Sequence, residues 1–357
     1  MIGGFLGAGK TSALIAMGAF LRRQGLRAGL VTNDQSTGLV DTARIRAADL
    51  PVEEVVGGCF CCRFDSLLDA ARRFECAGGI DVLVAEPVGS CTDIRATVSH
   101  PLSDLFGEAY EIAPLSVLVD PFRYADILGL TRTAAGFSDK VAYIYRKQLE
   151  ESEVIAINKI DLLESGFRNE LRDRLRREYP EAEVREVSCR TGEGLEPWFG
   201  SLLETLPSRR PAMEIDYDVY AEGEGRLGWL NAQATLLGDG VFDGNRYLMT
   251  LAGRLRTSLS GRGVELAHLK LGLEARDLSD FGSVSFTGTE REPQITASLS
   301  HDLSIGGLTI NLRAEAAPDL LRNEVMLALF NQADPRAELR EIAAFRPGRP
   351  EPLHRHA

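Results

Sequence analysis

The chain is short of positive charge and of long apolar runs. It has 40 lysine and arginine residues against 52 aspartate and glutamate residues, which gives a net charge of −12. A surplus of negative charge repels polyanions, so we expect neither a nucleic acid nor an anionic membrane surface as a partner. The longest apolar stretch, residues 12–21, is much shorter than the roughly 20 residues that a helix needs to cross a bilayer.

Cysteine is also scarce, and secretory features are absent. Six cysteines in 357 residues do not indicate the disulfide framework of a small secreted domain. No basic leader with an apolar core precedes a cleavage site, and we therefore expect a cytoplasmic protein. Three of the six, Cys59, Cys61 and Cys62, crowd into four positions, which indicates metal or redox chemistry.

A glycine-rich segment lies near the beginning of the sequence. Residues 4–11 read Gly-Phe-Leu-Gly-Ala-Gly-Lys-Thr and fit the phosphate-binding pattern G-x-x-x-x-G-K-[ST]. Glycines let consecutive N–H groups point into one concavity, and the next helix offers its positive end to the same anion. Lys10 can reach the β- and γ-phosphates, and the Thr11 hydroxyl can ligate Mg²⁺. The predicted nucleotide-binding residues here are Gly4, Gly7, Ala8, Gly9, Lys10, Thr11 and Ser12.

Short apolar runs alternate with helical patterns over about the first two hundred residues. This alternation is typical of an α/β protein of the P-loop NTPase class, in which helices flank a parallel sheet. Strands are predicted at 28–32, 52–56, 80–85, 116–119, 154–158 and 184–187, and helices at 63–77, 141–149 and 167–179.

The strand that normally precedes a phosphate loop is hard to find in this sequence. Only Met1 and Ile2 come before Gly3. We expect either that this strand is nearly absent or that the sequence lacks its true beginning. The second alternative is favoured, because loss of a central strand would leave the backbone groups of two neighbouring strands unpaired.

The alternation of short apolar runs with helical patterns changes after the segment 206–211, Leu-Pro-Ser-Arg-Arg-Pro. This segment predicts a domain boundary. Side chains alternate between the two faces of a strand, so residues 266–271 would place His268 and Lys270 on the same face. We expect that face to be exposed to solvent. The expected organisation is a GTPase domain at 1–206, a smaller α+β client-binding domain at 212–346 and a flexible tail at 347–357. The second domain is predicted from extended runs at 227–237, 264–273, 283–287, 295–299 and 308–314 and helical patterns at 242–259 and 318–332.

The tetrapeptide Asn-Lys-Ile-Asp at 158–161 follows an apolar run and is a guanine-type signal. Its aspartate can accept two hydrogen bonds from N1 and N2 of guanine, which adenine does not offer. The alternative is a polar helix cap. The segment 188–192 can place backbone amides against the base. The predicted base-side residues are Asn158, Lys159, Asp161, Ser188 and Cys189.

Two further polar segments fit the switch regions of a nucleotide hydrolase. Glu86, in Glu-Pro-Val-Gly at 86–89, can hold Mg²⁺ through water or orient the attacking water, and Gly89 can turn its amide toward a γ-phosphate. The loop 33–41 is polar and contains glycine, with Asp34 and Asp41 as candidate contacts for Mg²⁺ or water. A solvated surface glutamate and helix-capping aspartates are the alternatives. The predicted catalytic residues are Lys10, Asp34 and Glu86.

The thiols of Cys59, Cys61 and Cys62 can converge on one cation because a glycine pair before them lets the backbone turn. Zn²⁺ prefers tetrahedral sulfur and nitrogen ligands, and three protein ligands leave one position open, as suits a metal that is passed on. Cu⁺, Ni²⁺ and Co²⁺ stay alternatives, since spacing does not select the metal. Buried small hydrophobes and a redox pair are the other interpretations. We expect Cys91 to be a packed cysteine, with a further thiol on the γ-phosphate side as the alternative, and Cys76 to be a core or inert residue of a helix.

In this order, the motifs resemble those of the CobW-like (cobalamin-synthesis-protein) P-loop GTPases, a group related to the GTPases that mature hydrogenase and urease. The resemblance rests on the phosphate loop 4–11, the Gly-Cys-Phe-Cys-Cys segment 58–62, and the segments 86–89 and 158–161, and covers about residues 1–205. Residues 33–35 read Asn-Asp-Gln where the family often has Asn-Glu-Phe. The second half lacks a clear copy of the family's C-terminal motif.

The resemblance implies a GTP-hydrolysing metallochaperone with GTP and GDP as ligands and Mg²⁺ as cofactor. It implies a Zn²⁺ or Co²⁺ site at Cys59, Cys61 and Cys62, an acidic switch role for Glu86, and metal transfer to a client metalloprotein. Hydrolysis should be slow because no arginine finger is evident, and a homodimer is the candidate oligomer. The alternative is a nucleotide-gated adaptor for a client metalloenzyme or a cobalamin-related protein, with a purely structural metal. An ATP-dependent small-molecule kinase is disfavoured by the segment 158–161.

Overall fold

A computed structural model describes residues 1–35, 38–107, 109–129, 136–205, 211–276, 280–331 and 334–356. The expected boundary segment falls almost wholly outside these residues, as do positions 36 and 37 of the loop 33–41. None of the described helices combines the length and the hydropathy that a membrane-spanning helix requires.

The first part of the chain is an α/β unit, as predicted. Its strands form two parallel sheets, with orders β3-β2-β4 and β1-β5-β6-β7. The strands are β1 (Ile2–Gly4), β2 (Ala28–Asp34), β3 (Val52–Val56), β4 (Val82–Glu86), β5 (Ser116–Val119), β6 (Val154–Ile157) and β7 (Glu183–Glu186). The helices are α1 (Lys10–Arg23), α2 (Val40–Ala47), α3 (Phe64–Cys76), α4 (His100–Phe106), α5 (Pro121–Ile127), α6 (Asp139–Glu151), α7 (Ser165–Glu178) and α8 (Leu195–Glu204). All six predicted strands are confirmed.

The strand before the phosphate loop is present, although it has only three residues. β1 pairs in parallel with residues 116–118 of β5, and Ile2 is buried. It also lies beside β4, so it joins the two sheets at their centre. The strand is therefore short rather than missing, and its backbone pairs with β5 as a buried strand requires.

The second part of the chain is built on one six-stranded antiparallel sheet with the order β11-β10-β9-β12-β8-β13. Its elements are α9 (Tyr217–Arg226), β8 (Gly228–Phe242), α10 (Gly244–Gly261), β9 (Glu265–Ala275), β10 (Phe281–Phe286), β11 (Gln294–Ala297), β12 (Leu303–Glu315), α11 (Pro318–Phe330) and β13 (Arg336–Phe345). The predicted α+β class is confirmed. The sequence patterns missed α9 and the edge strand β13, because both are rich in charged residues that obscure their periodicity.

Both faces of this sheet are covered where β9 crosses it. Leu269 and Leu271 pack in an apolar core with residues of α10 and α11. On the other face, His268 is buried, and the Lys270 ammonium lies 2.6 Å from Asp41 at the start of α2. The expectation that this face is exposed to solvent is therefore wrong, because the face packs against the first part of the chain.

The C-terminal residues lie against residues 58–62, Gly-Cys-Phe-Cys-Cys, which we call the cysteine segment. We define residues 349–356 as the C-terminal strap. Within it, the Glu351 N–H lies 3.3 Å from the Cys62 sulfur, and the Leu353 N–H donates to the Cys61 carbonyl at 2.9 Å. The Arg355 guanidinium pairs with Asp93 at 2.8 Å. The structure thus places most of the predicted flexible tail against the first part of the chain.

Candidate functional site

The phosphate loop is held in a tight conformation by glycine and by a hydrogen bond from Lys10 to its own backbone. Gly9 precedes α1 with φ +104°, and a Cβ atom there would approach Asn158 Nδ2 to 2.3 Å, so both conformation and space require glycine. The buried Lys10 ammonium donates to the Gly4 carbonyl at 2.9 Å. Burial lowers the pKa of Lys10. The loop therefore presents a desolvated ammonium and a helix N-terminus to one concavity, as an anion requires.

Glu86, at the end of β4, faces this loop. The Thr11 hydroxyl donates to its carboxylate at 3.0 Å, and the Lys10 ammonium lies 3.9 Å away. Burial raises the pKa of Glu86 to about 7, although Lys10 opposes the shift. Gly89 lies close by, since a Cβ atom there would stand 3.0 Å from Lys10 Nζ. Four of the residues predicted from two separate motifs are thus brought together.

The two aspartates of the loop 33–41 have different partners. Asp41 pairs with Lys270, and the nearby Thr11 hydroxyl also favours its charged form. Burial raises its pKa, but the nearby ammonium of Lys270 outweighs that effect and the pKa is lowered overall. Asp34 instead accepts from Arg313 at 3.1 Å through both carboxylate oxygens. Of the two candidates, Asp41 is therefore the one beside the phosphate loop.

The carboxyl ends of β6 and β7 meet on the opposite side of the phosphate loop. The Asn158 amide donates to the Ala8 carbonyl at 2.9 Å and accepts from the Cys189 N–H at 3.0 Å. Asp161 accepts from the Ser188 hydroxyl at 2.5 Å. The five predicted base-side residues therefore share one location, at the carboxyl ends of β6 and β7.

Asp120 holds Lys159 in this group and was not predicted. Its carboxylate lies 2.7 Å from the Lys159 ammonium, which also donates to the Gly7 carbonyl at 3.1 Å. Burial raises the pKa of Asp120, but Lys159 and Arg291 outweigh it, so the pKa is lowered overall. Asp120 also caps α5, and its position between a strand and Pro121 was a helix-start signal that could have drawn attention to it.

The three clustered cysteines converge. Their sulfur atoms lie 2.8 Å apart for Cys59 and Cys61, 3.3 Å for Cys59 and Cys62, and 3.7 Å for Cys61 and Cys62. All three are free thiols, because these distances far exceed the 2.05 Å of a disulfide bond. Gly57 and Gly58, with φ values of +79° and +148°, supply the predicted turn before them.

The thiols of this cluster perturb one another. A hydrogen bond with Cys61 is the main cause that holds the pKa of Cys59 well below its usual range. Hydrogen bonding with Cys59 raises the pKa of Cys62 to about 11 and that of Cys61 further. The neighbouring thiols thus favour the thiolate form of Cys59, and the thiolate is the form that binds a soft or borderline cation. Cys76, expected to be a core or inert residue, is exposed at the end of α3.

One side chain joins the cysteine segment to the nucleotide side. Asn33, at the end of β2, donates to the Gly58 carbonyl at 2.8 Å and to the Val55 carbonyl at 3.0 Å. Its amide oxygen accepts from the Phe60 N–H at 2.9 Å. The same loop continues from Asn33 to Asp34 and Asp41. Asn33 therefore ties the beginning of this loop to the backbone that carries the thiols.

The C-terminal sheet contributes residues that the sequence did not single out. Asn311 accepts from the Val40 N–H at 2.9 Å and donates to the Gly38 carbonyl at 3.2 Å. Arg313 is fully buried and stacks over Trp229 at 4.1 Å. Polar residues alternating along β12 were the available signal, but that pattern is equally typical of a solvated face.

Comparisons with known proteins find a family model and solved structures that are similar to this chain. A family model described as CobW/HypB/UreG, nucleotide-binding domain, matches residues 1–186. Among solved structures, hydrogenase maturation factor HypB from Archaeoglobus fulgidus is 20% identical, with 57% of this chain and 87% of that chain covered and a TM-score of 0.40. HypB from Helicobacter pylori in complex with nickel is 20% identical, with coverages of 57% and 84% and a TM-score of 0.41. The Zn(II)-bound YjiA GTPase from E. coli is 14% identical, with coverages of 91% and 96% and a TM-score of 0.36.

Proposed function

Since this chain belongs to the CobW/HypB/UreG family, we propose that it is a GTPase that binds a transition metal and releases it to a client protein according to its nucleotide state. The observation that carries this proposal is the bridge made by Asn33. It ties the loop 33–41, on the phosphate side, to the backbone of the cysteine segment. A nucleotide and a metal would therefore each bias the same two loops.

The phosphate side supports hydrolysis. Lys10 would bind the β- and γ-phosphates, and the loop N–H groups would hold their remaining oxygens. The oxygen donors of Thr11, Asp41 and Glu86 are the hard ligands that Mg²⁺ prefers. Bound there, Mg²⁺ would neutralise charge that develops on the phosphates. Glu86 would orient the attacking water and accept its proton as the bond between the γ-phosphorus and the leaving oxygen of GDP breaks.

The base side supports a preference for guanine. Asp161 would exchange its hydrogen bond with Ser188 for bonds from guanine N1 and N2, and the Cys189 N–H lies on the same side. Asn158 and Lys159 would hold the phosphate loop against the base segment, as they hold Ala8 and Gly7. We propose Asp34 as a positioning residue for the loop 33–41, because it pairs with Arg313.

The cysteine cluster supports metal cargo. Three thiols within 4.8 Å of one another provide the sulfur donors that Zn²⁺ and Co²⁺ accept. HypB from Helicobacter pylori forms a complex with nickel and YjiA from E. coli binds Zn(II), and we propose that this chain also binds a divalent transition ion. The small domain built on the antiparallel sheet would select the client protein.

The deciding experiment measures metal affinity in different nucleotide states. Purified protein is titrated with Zn²⁺ and with Co²⁺ alone, with GDP and with a non-hydrolysable GTP analogue. We expect the dissociation constants to differ by about fivefold or more between the GDP and GTP-analogue states, the range of ordinary allosteric coupling. Equal constants in all three states would overturn the proposal. Cys61→Ser should abolish tight binding, whereas Cys76→Ser, an exposed control, should not.

A second candidate function is a nucleotide-gated adaptor with a structural metal. It is favoured by the burial of Cys59 and Cys61 and by the C-terminal strap that covers their segment. The two functions differ in how fast the bound metal ion exchanges with solution. A structural ion resists chelators and lowers the unfolding temperature when it is removed, whereas a cargo ion leaves within minutes and its release depends on the nucleotide.

A further inference from the structure

The beginning of β9 lies directly against the phosphate loop. A Cβ atom on Gly7 would collide with the side chain of Thr287, the residue after β10, and would stand 3.5 Å from the Ala267 carbonyl oxygen. The Arg123 guanidinium donates to the neighbouring Leu266 carbonyl at 2.7 Å. The antiparallel sheet therefore covers one side of the phosphate loop.

Lys270 lies three residues after Ala267 on the same strand. Its ammonium is 2.6 Å from the Asp41 carboxylate, and only 16% and 14% of the two side chains are exposed. Arg44 shares a face of α2 with Asp41 and donates to the Ser12 hydroxyl at 3.4 Å. The pair of Lys270 and Asp41 therefore stands beside the first turn of α1, which ends the phosphate loop.

Two buried polar atoms of these elements have no hydrogen-bond partner among the residues that the structure describes. They are Oδ1 of Asp41 and Nδ1 of His268, which lies two residues before Lys270 on the same strand face. Buried polar groups in folded proteins are almost always paired. Beside a phosphate loop, such atoms indicate a polar ligand that completes the site, and a nucleotide with its metal ion is such a ligand.

We propose that Lys270 binds the γ-phosphate of GTP and stabilises the negative charge of its transition state during hydrolysis. The Asp41 carboxylate would turn from the Lys270 ammonium to Mg²⁺, and the ammonium would turn to the phosphate oxygens. The inference rests on the proposed function, since it concerns the same nucleotide site. It assigns a catalytic role to a residue of the antiparallel sheet.

The charges on the phosphate side favour this role. The first part of the chain carries the carboxylates of Glu86 and Asp41 there, together with the ammonium of Lys10. GTP brings more negative charge than Mg²⁺ offsets. Lys270 would supply a second ammonium within the same chain, in the role that an arginine finger has in other GTPases.

Lys270 would act through its charge alone. In the hydrolysis step, a water oxygen bonds to the γ-phosphorus, the bond from this phosphorus to the leaving oxygen of GDP breaks, and the proton of the water passes to Glu86. The ammonium keeps its three protons and its charge throughout. It contributes because its attraction to the phosphate oxygens is stronger in the transition state than in bound GTP.

The segment that carries Glu86 is held within the first part of the chain. The Gln148 amide, on α6, donates to the carbonyls of Gly89 at 3.0 Å and of Cys91 at 2.8 Å. The Cys91 N–H donates to the Val88 carbonyl at 2.9 Å. Removal of an ammonium from β9 should therefore leave the group that orients the water in place.

The first test compares hydrolysis with binding in the full chain. Lys270→Met should lower the single-turnover rate of GTP hydrolysis by at least about a hundredfold. GDP affinity should change by less than about threefold, because GDP has no γ-phosphate for the ammonium to bind. Lys270→Arg keeps the charge and should retain at least about a tenth of the original rate. Lys140→Met removes an exposed ammonium that pairs with Glu222, and this matched control should change neither quantity.

The second test uses GDP with aluminium fluoride, which imitates the γ-phosphoryl group in the transition state. We expect Lys270→Met to lose affinity for this pair of ligands while it still binds GDP. Urea unfolding shows whether the variant is folded, and Lys270→Gln replaces it if it is not.

Two results would overturn the inference and leave the proposed function in place. One is an unchanged hydrolysis rate in the folded variant. The other is an equal loss of affinity for GDP with and without aluminium fluoride, because a merely structural ion pair would affect both alike. An unaltered chain that hydrolyses no GTP would instead overturn the proposed function itself.

Discussion

Asparagine side chains that bind two backbone segments at once set much of the local geometry. Asn158 joins the phosphate loop to the segment 188–192, and Asn33 joins β3 to the cysteine segment. An amide suits both places, because it donates and accepts through one rigid plane. An aspartate in either place would lack a donor for a buried carbonyl, which costs about 1 to 3 kcal/mol.

Asp161 is the residue that we propose for base selection, and replacing it tests that role. Asp161→Asn should weaken GTP binding by about a hundredfold, since each hydrogen bond to a charged group contributes about 1.5 to 3 kcal/mol. It should strengthen binding of xanthosine triphosphate, because xanthine has an oxygen where guanine has its 2-amino group and asparagine can donate to it. Isothermal titration with GTP, ATP and xanthosine triphosphate measures both changes. Glu164→Gln, which removes an exposed charge three residues away, is the control, and a retained preference for GTP in Asp161→Asn would contradict the assignment.

Among the elements, the C-terminal strap has the clearest individual role. It contacts the cysteine segment through backbone groups, and its Arg355 is anchored on the buried Asp93. The ring of His354 packs edge-on against Phe64, the first residue of α3. The strap therefore limits the access of solvent and reagents to the thiols.

A single backbone donor in the strap can be removed to test this. Leu353→Pro abolishes the N–H that donates to the Cys61 carbonyl, and we expect alkylation of Cys62 to become several times faster. Leu353→Ala keeps the donor and trims only a mostly exposed side chain, so its rate should stay near that of the original chain. Mass spectrometry of timed samples identifies which cysteine reacts. Equal rates in the two variants would mean that the strap does not protect the cluster.

Most elements were predictable from the sequence, but their contacts were not. Apolar runs bounded by turn residues predicted the six strands of the first part, because most of them are buried along much of their length. β1 was missed, since three residues carry no periodicity. The strap was missed for a similar reason: its Pro- and Arg-rich sequence is typical of a frayed end, and the hydrogen bonds that hold it come from its backbone.

At the scale of the whole molecule, the nucleotide-binding part and the antiparallel sheet share a polar interface. Lys270, Asn311 and Arg313 from the sheet meet the loop 33–41 and the start of α2. The sequence motifs located both nucleotide half-sites and the cysteine cluster, because each is local in the chain. They could not reveal this interface, whose partners are separated by more than two hundred residues.

Arg313 is the central residue of the interface. Arg313→Met should lower the free energy of unfolding by about 3 kcal/mol, because it leaves Asp34 without its buried partner. The same substitution in an Asp34→Asn background should cost less, and the difference measures their coupling. Arg340→Met, at an exposed position of β13, should cost less than about 1 kcal/mol. Urea denaturation followed by circular dichroism measures all four variants, and equal losses in both backgrounds would exclude a coupled pair.

The hydrogen bond from the Cys91 N–H to the Val88 carbonyl has a mechanical consequence. That carbonyl and the Gly89 N–H belong to one planar peptide group, so neither can rotate without the other. Any rotation that redirects the Gly89 N–H must also swing the oxygen away from its present donor. A rotation that turned the Gly89 N–H toward a bound γ-phosphate would therefore loosen the hydrogen bond that holds the backbone of Cys91.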